Sequence, residues 1–474
     1  MSNNLAENKM GVMPVKKLLI SMSLPMIASM LVQALYNVID SIFVAQISEN
    51  ALTAVSLAFP AQNLLIGFAT GTGVGVNAIL SKSLGEGNRE KARKAGENGV
   101  FCAICCYVIF LIFGIVGCNL FFKAQTDNAE IISLGVDYLS ICCVLSFGVF
   151  GQIMFERLLQ STGKTVYTLA TQGVGAIVNI IFDPLMIFGI GPFPKMGVKG
   201  AALATVLGQI VACIMAIVLN SRFNDEFKLD MKHFRPSGKM IAKIYSVGVP
   251  SIIMVGIGSI MTFSMNKILV GFTETAAAVF GVYFKLQSFF FMPLFGMNNG
   301  LIPIVAYNYG ARKKGRILAV LRFALCLALT IMFLAIVTFH AIPGVLLKLF
   351  NATDTMLEIG IPALRIISLS YIFAGFSIIL IASFQAFGKG VFSMFVSFAR
   401  QIVVLIPAAY LFSKTGVLEN VWWSFPIAEV ASVLVAVIQF IFLYKKVIAP
   451  LDTKVEITKI PAETQHKQVS EAKM

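Results

Sequence analysis

Apolar stretches long enough to cross a membrane recur along the whole of this 474-residue chain. A helix rises 1.5 Å per residue, so about 20 apolar residues cross a hydrocarbon core of roughly 30 Å. Only 13% of the residues are charged, whereas soluble domains have about 25%. These features predict an all-α polytopic membrane protein.

We predict twelve spans, six in each half of the chain. They run over residues 17–45, 51–80, 95–120, 130–153, 165–190, 198–220, 241–270, 275–305, 317–342, 358–383, 391–413 and 421–444. The first span follows Lys16 and Lys17 and is too long for the apolar region of a cleaved signal peptide. We therefore expect it to stay in the protein as an anchor.

The net charge of +14 follows the predicted topology. Basic residues crowd alternate connections, at Lys82, Arg89, Lys91, Arg93, Lys94, Arg222, Lys228, Lys232, Arg235, Lys239, Lys243, Arg312, Lys313, Lys314, Arg316, Lys445 and Lys446. The opposite connections carry only Lys123, Lys195, Lys199, Lys348 and Lys414. This asymmetry predicts a plasma-membrane protein with both termini in the cytoplasm, and it explains the basic surplus without a nucleic-acid partner.

The two halves of the sequence repeat each other. Matches at a separation of 225 residues pair Pro25 with Pro250, Gln62 with Gln287, Gly71 with Gly296, Gly75 with Gly300, Gly85 with Gly310, Gln160 with Gln385, and Gly163 with Gly388. Six spans per half is an even number, so both halves enter from the same side and the repeat is parallel. Such halves enclose a cavity near the membrane midplane and rock against each other for alternating access.

This repeat predicts five parts of the chain. They are a cytoplasmic tail (1–16), an N-lobe (17–220), a cytoplasmic interlobe loop (221–240), a C-lobe (241–446) and a second cytoplasmic tail (447–474). Two intramembrane acids, Asp40 and Asp183, belong to the N-lobe only. The counterpart of Asp40 is Met265 or Asn266, and that of Asp183 is Ile406. We therefore expect the ion-coupling chemistry in the N-lobe.

Polar side chains on three N-lobe spans are predicted to meet at one level of the membrane. They are Gln33, Tyr36, Asn37 and Asp40 on span 1, Gln172, Asn179 and Asp183 on span 5, and Thr205 on span 6. Spacings of three, four and seven residues place each set on one helix face. A charge at this depth costs several kcal/mol unless it is paired or hydrated, and chains keep one mainly to handle an ion, a proton or a ligand.

Two carboxylates beside a poorly hydrated cavity do not both ionise easily, because desolvation and like charge favour the neutral acid. Asp40 and Asp183 are then able to accept and release a proton. Alternatively, oxygens of Asp40, Asn179, Asp183 and Thr205 coordinate sodium, or the acids only hold helices together.

Further polar and sulfur-containing side chains are candidates for the substrate cavity. Glu156 is either a local ion-pair partner of Arg157 or a contact that faces the inner cavity. Met261 and Met265, with nearby Phe and Met side chains, offer a surface that repacks around varied ligands, although core packing is the alternative. The full set of substrate-cavity candidates is Gln33, Asn37, Gln172, Glu156, Met261, Met265 and Gln287. Lys285, Arg400 and Glu429 are expected to pair across C-lobe helices.

The sequence resembles the multidrug and toxic compound extrusion (MATE) family. The resemblance rests on SLPMIASMLVQALYNVIDSIFVAQI, ALTAVSLAFP, GTGVGVNAILSKSLGEGN, LLQSTGKT, NIIFDPLMIFG and GVKGAALATV, and it covers nearly all of residues 14–446. It implies the MATE/MOP-type fold of two six-helix lobes, and export of amphipathic, often cationic compounds driven by proton or sodium entry. Asp40 and Asp183 match the acidic pair of the family's N-lobe site, and Tyr36, Asn179 and Thr205 match its polar surroundings.

The chain departs from the branch of this family that couples sodium through acids in helices 7 and 10. Span 7 has no Asp or Glu, and Asp354 and Glu358 lie only at the mouth of span 10. The chain therefore looks nearer to the DinF-like and MepA-like branches.

These features predict an ion-coupled multidrug antiporter, with the proton preferred over sodium, no other cofactor, and a monomeric state. The alternative is a flippase or exporter of a specific lipid-linked or endogenous metabolite on the same scaffold. A membrane enzyme is not expected, because the three histidines are scattered and no nucleophile motif appears. No phosphate-binding GxxxxGK[ST] motif points to ATP.

The topology is testable by thiol labelling of single cysteines in a cysteine-free background. A cysteine placed within residues 225–240 should stay unlabelled by an impermeant reagent in intact cells, because that loop is cytoplasmic. A cysteine near Lys195 should be labelled. Labelling of the 225–240 loop from outside would contradict the assignment.

Overall fold

The computed structural model describes residues 8–226, 228–232, 234–350 and 352–451. Within these residues the chain is helical, with no β-strand. Ten helices are long and apolar enough to cross a membrane, or up to twelve if each of two bent pairs counts as one span. The all-α membrane fold is confirmed. Of the two predicted cytoplasmic tails, residues 1–7 and 452–474 lie outside the described residues. The predicted lobe boundaries stay predictions.

We label the spans α1 to α12 in chain order. The first half comprises α1 (Val15–Ala45), α2 (Glu49–Gly85), α3 (Arg89–Lys123), α4 (Ala129–Val144 with Phe147–Ser161), α5 (Thr165–Phe188) and α6 (Val198–Phe223). The second comprises α7 (Gly238–Val270), α8 (Glu274–Gly310), α9 (Lys314–Ala341), α10 (Asp354–Ser368 with Tyr371–Ala386), α11 (Gly390–Ser413) and α12 (Leu418–Leu451). Wider π-helical turns interrupt three of them, at Phe113–Gly117, Ala399–Leu405 and Tyr444–Ile448.

Local features of the helices repeat between the two halves. The Ser48 hydroxyl caps α2 by accepting from Ala51 N at 3.0 Å, and Thr273 caps α8 by accepting from Ala276 N at 3.1 Å. Such side-chain caps satisfy a backbone N–H that has no partner inside the helix. The bent spans also correspond, since α4 bends by 44° and α10 by 48°.

Backbone-to-backbone contacts at glycines hold the two halves together. In α2, Gly71 lies against Gly248 and Ile252, Gly75 against Ile244, and Gly85 against Tyr307 of the second half. In α8, Gly296 lies against Ile27, Gly300 against Met22 and Ser23, and Gly310 against Lys82. The contacts Gly71–Ile252 and Gly85–Tyr307 recur 225 residues away as Gly296–Ile27 and Gly310–Lys82. All of them lie toward the end of the bundle where the basic connections cluster.

A short helix, Lys9–Val12, precedes α1 and lies between the two halves at this same end. From the first half, Thr162 O accepts a hydrogen bond of 3.1 Å from Asn8 Nδ2. From the second half, three side chains donate to backbone carbonyls: Asn308 to Met10 (3.0 Å), Lys313 to Gly11 (3.0 Å), and Arg316 to Met10 (3.1 Å) and Met13 (2.7 Å). The segment at residues 8–13 therefore ties the halves together.

The glycine contacts predict opposite effects for the same substitution at two positions. Gly75→Ala places a methyl group against Ile244 O, so we expect it to destabilise the fold by about 1–3 kcal/mol through overpacking. Gly281→Ala, at an exposed position on α8 with nothing within 4 Å, should stabilise it by up to ~1 kcal/mol through helix propensity. Melting followed by size-exclusion chromatography measures both, and equal melting temperatures would contradict the role of Gly75.

Candidate functional site

Two intramembrane carboxyls lie side by side where α1 meets α5. Asp183 is fully buried and Asp40 is half-buried, and their side chains are within hydrogen-bonding reach of each other. If both were ionised, Asp40 Oδ1 and Asp183 Oδ2 would be buried without any donor among the described residues. A carboxylate only accepts hydrogen bonds, so this contact becomes a hydrogen bond when the pair shares one proton.

Asn179 connects the carboxyl pair to α6. Its Nδ2 group donates to Asp183 Oδ1 at 3.2 Å and to Thr205 Oγ1 at 3.3 Å. Its Oδ1 atom is buried and finds no partner in the described part of the chain. Asp40, Asp183 and Asn179 thus offer three unpartnered oxygens, which is a donor set suited to a proton or a small hard cation.

Small residues bring α5 and α6 close enough for this contact. Gly208 of α6 packs against Gly175 of α5, so that a Cβ at 208 would lie 2.6 Å from Gly175 O and 3.3 Å from Asn179 Cβ. Such close approach through glycine is a common way for membrane helices to associate. It sets Thr205, one turn before Gly208, beside Asn179.

A partly open cavity extends along α5 inside the first half, with about 610 Å³ of empty space when the solvent at its opening is included. It is lined by Gln33, Tyr36, Ile66, Val149, Gln152, Ile153, Gln172, Gly175, Ala176, Asn179, Thr205, Gly208 and Gln209. The carboxyls themselves are not among the lining side chains, so the expectation that Asp40 and Asp183 face the cavity needs correction. Asp183 adjoins the lining through Asn179, and Asp40 follows the lining residue Tyr36 by one turn of α1.

A third carboxyl, Glu156 on α4, lies behind the same wall farther toward the basic end. Its oxygens accept hydrogen bonds from Thr171 Oγ1 at 2.8 Å, Gln172 Nε2 at 3.0 Å and Gln152 Nε2 at 3.1 Å. Within the described ranges it forms no ion pair. Arg157 donates instead to Gln160 Oε1 at 2.8 Å and to Asn299 Oδ1 of α8 at 2.9 Å, so the local Glu156–Arg157 ion pair is not observed.

Four predicted substrate-cavity residues lie elsewhere. Asn37 is exposed and does not line the cavity. Met265 is fully buried in the hydrophobic core of the second half, and Met261 packs against that core. This corrects the expectation of a ligand-facing methionine surface there, because α7 turns this face toward its own half. Gln287 is half-buried on α8.

Only two of the three charged side chains that were expected to pair in the second half do so. Arg400 donates to Glu429 at 2.9 Å, which confirms the expected pairing across helices. Lys285 does not join them, and its ammonium lies 5.9 Å from the centre of the Phe350 ring. Glu358 is exposed near the start of α10.

The sequence analysis did not select three residues that belong to the site. Gln152 and Gln209 line the cavity, and Thr171 binds Glu156. Helical spacing was the available signal, since Gln152 precedes Glu156 by four residues and Gln209 follows Thr205 by four. A single polar side chain on an otherwise apolar helix does not reveal by itself which neighbour it faces.

Comparisons with known proteins agree with the two-part repeat and the fold. The family model MatE matches residues 25–185 and 250–411, which begin 225 residues apart. The multidrug export protein MepA of Staphylococcus haemolyticus is 24% identical over 424 residues, covering 89% of this chain and 92% of that protein. An FAD transporter of Shewanella oneidensis is 26% identical over 423 residues, covering 88% and 92%.

Solved structures share the fold. The outward-facing conformation of a multidrug resistance MATE family transporter of the MOP superfamily superposes with a TM-score of 0.87 at 23% identity, covering 95% of this chain and 100% of that one. A MOP superfamily transporter from Pyrococcus furiosus gives a TM-score of 0.86 at the same identity and coverage.

Proposed function

The chain belongs to the MATE family, whose model matches both of its halves, and from this membership we propose that it is a proton-coupled multidrug antiporter. It exports amphipathic, often cationic drugs and toxic organic compounds in exchange for protons. The family and the relatives are membrane transporters, so the chain is a multi-pass transporter rather than an enzyme.

The carboxyl pair of Asp40 and Asp183 is the observation that carries the choice of ion. Its contact becomes a hydrogen bond only with a shared proton, and Asn179 supports one of its oxygens. A proton that enters from outside neutralises the pair and favours release of a cationic compound, directly or by bending α1 at Pro25. Loss of that proton to the cytoplasm restores the negative charge and the affinity. Sodium, bound by the same oxygens and Thr205, is the alternative ion.

The lining of the cavity supports the substrate class. Its wall combines apolar side chains with neutral amides and hydroxyls, and no Lys or Arg is among its lining residues in the described chain. Acidic side chains behind a neutral lining attract a cation but do not fix its orientation. Such a site suits cationic ligands of varied shape.

The contacts between the halves support a rocker-switch cycle. They cluster toward the basic end of the bundle, and they are related by the internal repeat. Rocking of one half against the other would break this set of contacts and open the cavity to the cytoplasm. We place the protein in the plasma membrane as a monomer, with both termini in the cytoplasm and no cofactor beyond the coupling ion.

Export of an endogenous metabolite is the second candidate, because one relative is an FAD transporter. A dinucleotide carries phosphate charges, which call for basic side chains. The lining described above offers none, so we expect flavin adenine dinucleotide not to compete with a cationic substrate. Competition at matched concentrations in the assay below would favour the metabolite exporter.

The ion site is tested in proteoliposomes with tritiated tetraphenylphosphonium, under a pH gradient or a sodium gradient applied alone and with the membrane potential clamped. The wild type should accumulate the probe only under the pH gradient. Asp183→Asn and Asp40→Asn should insert normally and lose accumulation, because an amide mimics the permanently neutral acid.

Glu358→Gln is the matched control, since it neutralises an exposed acid away from the cavity, and it should keep most of the activity. Wild-type accumulation by Asp183→Asn would show that the carboxylate is structural. Accumulation driven by sodium alone would move the coupling ion from the proton to sodium.

A further inference from the structure

Buried polar side chains recur along one face of α5, interrupted by Gly175 and Ala176. They comprise Thr165, Thr168, Thr171, Asn179 and Asp183, all of them buried, with half-buried Gln172 beside them. Spacings of three, four and their sums keep these side chains on one side of the helix. From Asp183 to Thr171 the face covers roughly 18 Å at 1.5 Å per residue. The carboxyl pair near one end is thus only part of a longer polar feature.

Hydroxyls near the cytoplasmic end of this face lack partners. Thr165 Oγ1 and Thr168 Oγ1 are buried and make no hydrogen bond within the described ranges, and neither does Gln172 Oε1. A threonine inside a helix commonly donates to a carbonyl one turn earlier, as Thr70 does to Ile66 O at 2.8 Å. Buried polar atoms without partners are costly and point to a ligand, an ion or water at that place.

Glu156 lies midway along this face. Three neutral donors, from Thr171, Gln172 and Gln152, bind it. The other titratable or charged groups that face it are Arg157 on its own helix, which donates elsewhere, and Cys213 on α6. A buried carboxylate without an ion-pair partner is stabilised by taking up a proton.

The cavity extends between the Asp40–Asp183 pair and Glu156. Gln152 and Gln172, which bind Glu156, line it toward one end, and Asn179 and Thr205, which adjoin Asp183, line it toward the other. Amides and hydroxyls of Gln152, Gln172, Asn179 and Thr205 are spread along an otherwise largely apolar lining, and the space has room for several water molecules, each of which occupies about 30 Å³ in the liquid. A chain of water and side-chain groups can therefore connect Asp183 with Glu156.

We propose that Glu156 is the inner acceptor for the coupling proton, on a path from the Asp40–Asp183 pair through the cavity and past Thr168 and Thr165 to the cytoplasm. The O–H bond on the pair breaks and one forms on the Glu156 carboxylate, which restores the charge of the pair. Glu156 then passes the same proton to cytoplasmic water and becomes a carboxylate again. This proposal rests on the proton-coupled function above.

Glu156→Gln and Glu156→Asp separate proton handling from support of the structure. Glutamine keeps the size and an acceptor oxygen for Thr171 but cannot be protonated, whereas aspartate is shorter but still titrates. Glu97→Gln is the matched control, because Glu97 is a buried acid on α3 whose partners Arg93 and Asp230 N do not line the cavity, whereas Glu156 binds two lining residues. Each variant is reconstituted after size-exclusion chromatography shows an intact, monodisperse protein.

Two measurements with tritiated tetraphenylphosphonium are made on each variant. Accumulation under a pH gradient needs net proton release, and exchange of labelled for unlabelled probe without a gradient does not. We expect Glu156→Gln to lose accumulation and keep exchange, while Glu156→Asp and Glu97→Gln keep both.

The inference is overturned if Glu156→Gln accumulates the probe at the wild-type rate. It is equally overturned if Glu156→Asp loses accumulation as fully as Glu156→Gln, since Glu156 would then be structural. Failure of the proposed function shows separately, as wild-type accumulation by Asp183→Asn and Asp40→Asn.

Discussion

Close backbone contact at a few glycines is the constraint on which the arrangement of the two halves depends. Helices that lack side chains at the contact points approach until their backbones touch, and in a bilayer this packing replaces the hydrophobic force that joins helices in water. Gly71 and Gly85 use it on one side, and Gly296 and Gly310 use it on the other. Because α1 is held by α8 through its first half, its second half is free to lie against α5. The meeting of Asp40 with Asp183 follows from that placement.

The scaffold is symmetric, but its chemistry is not. Caps, bends and glycine contacts recur between the halves, whereas the acids behind the cavity belong to the first half alone. The second half balances Glu429 with Arg400 and buries Met265 in its core. Under the proposed function, a neutral lining with acids behind it would reconcile two needs of an exporter, since the ligand would meet few directed groups and the charge that attracts it would still be close. Asn179 and Gln172 line the cavity and bind Asp183 and Glu156, respectively.

The sequence predicted the spans, the repeat and the meeting of Asp40, Asn179, Asp183 and Thr205, because these depend on periodicity and counting along rigid helices. It did not predict which of these side chains line the cavity and which lie behind the lining. That depends on helix rotation, which small residues such as Gly175 and Gly208 set through tertiary packing. The same limit explains Met265, since a methionine stripe fits a core and a ligand surface equally well. Glu156 was ambiguous because Arg157 is next to it in sequence, yet consecutive residues on a helix do not face each other.

The segment at residues 8–13 bears on how the protein is handled in the laboratory. Its carbonyls accept hydrogen bonds from Asn308 and Arg316 of one half, while Asn8 bonds to Thr162 of the other. If the halves rock apart at this end, as proposed above, the segment has to leave one of them. A fluorophore attached at residue 12, where Val12 is exposed, would then act as a built-in reporter of gate opening. A bulky group joined directly before residue 8 would press on the same junction.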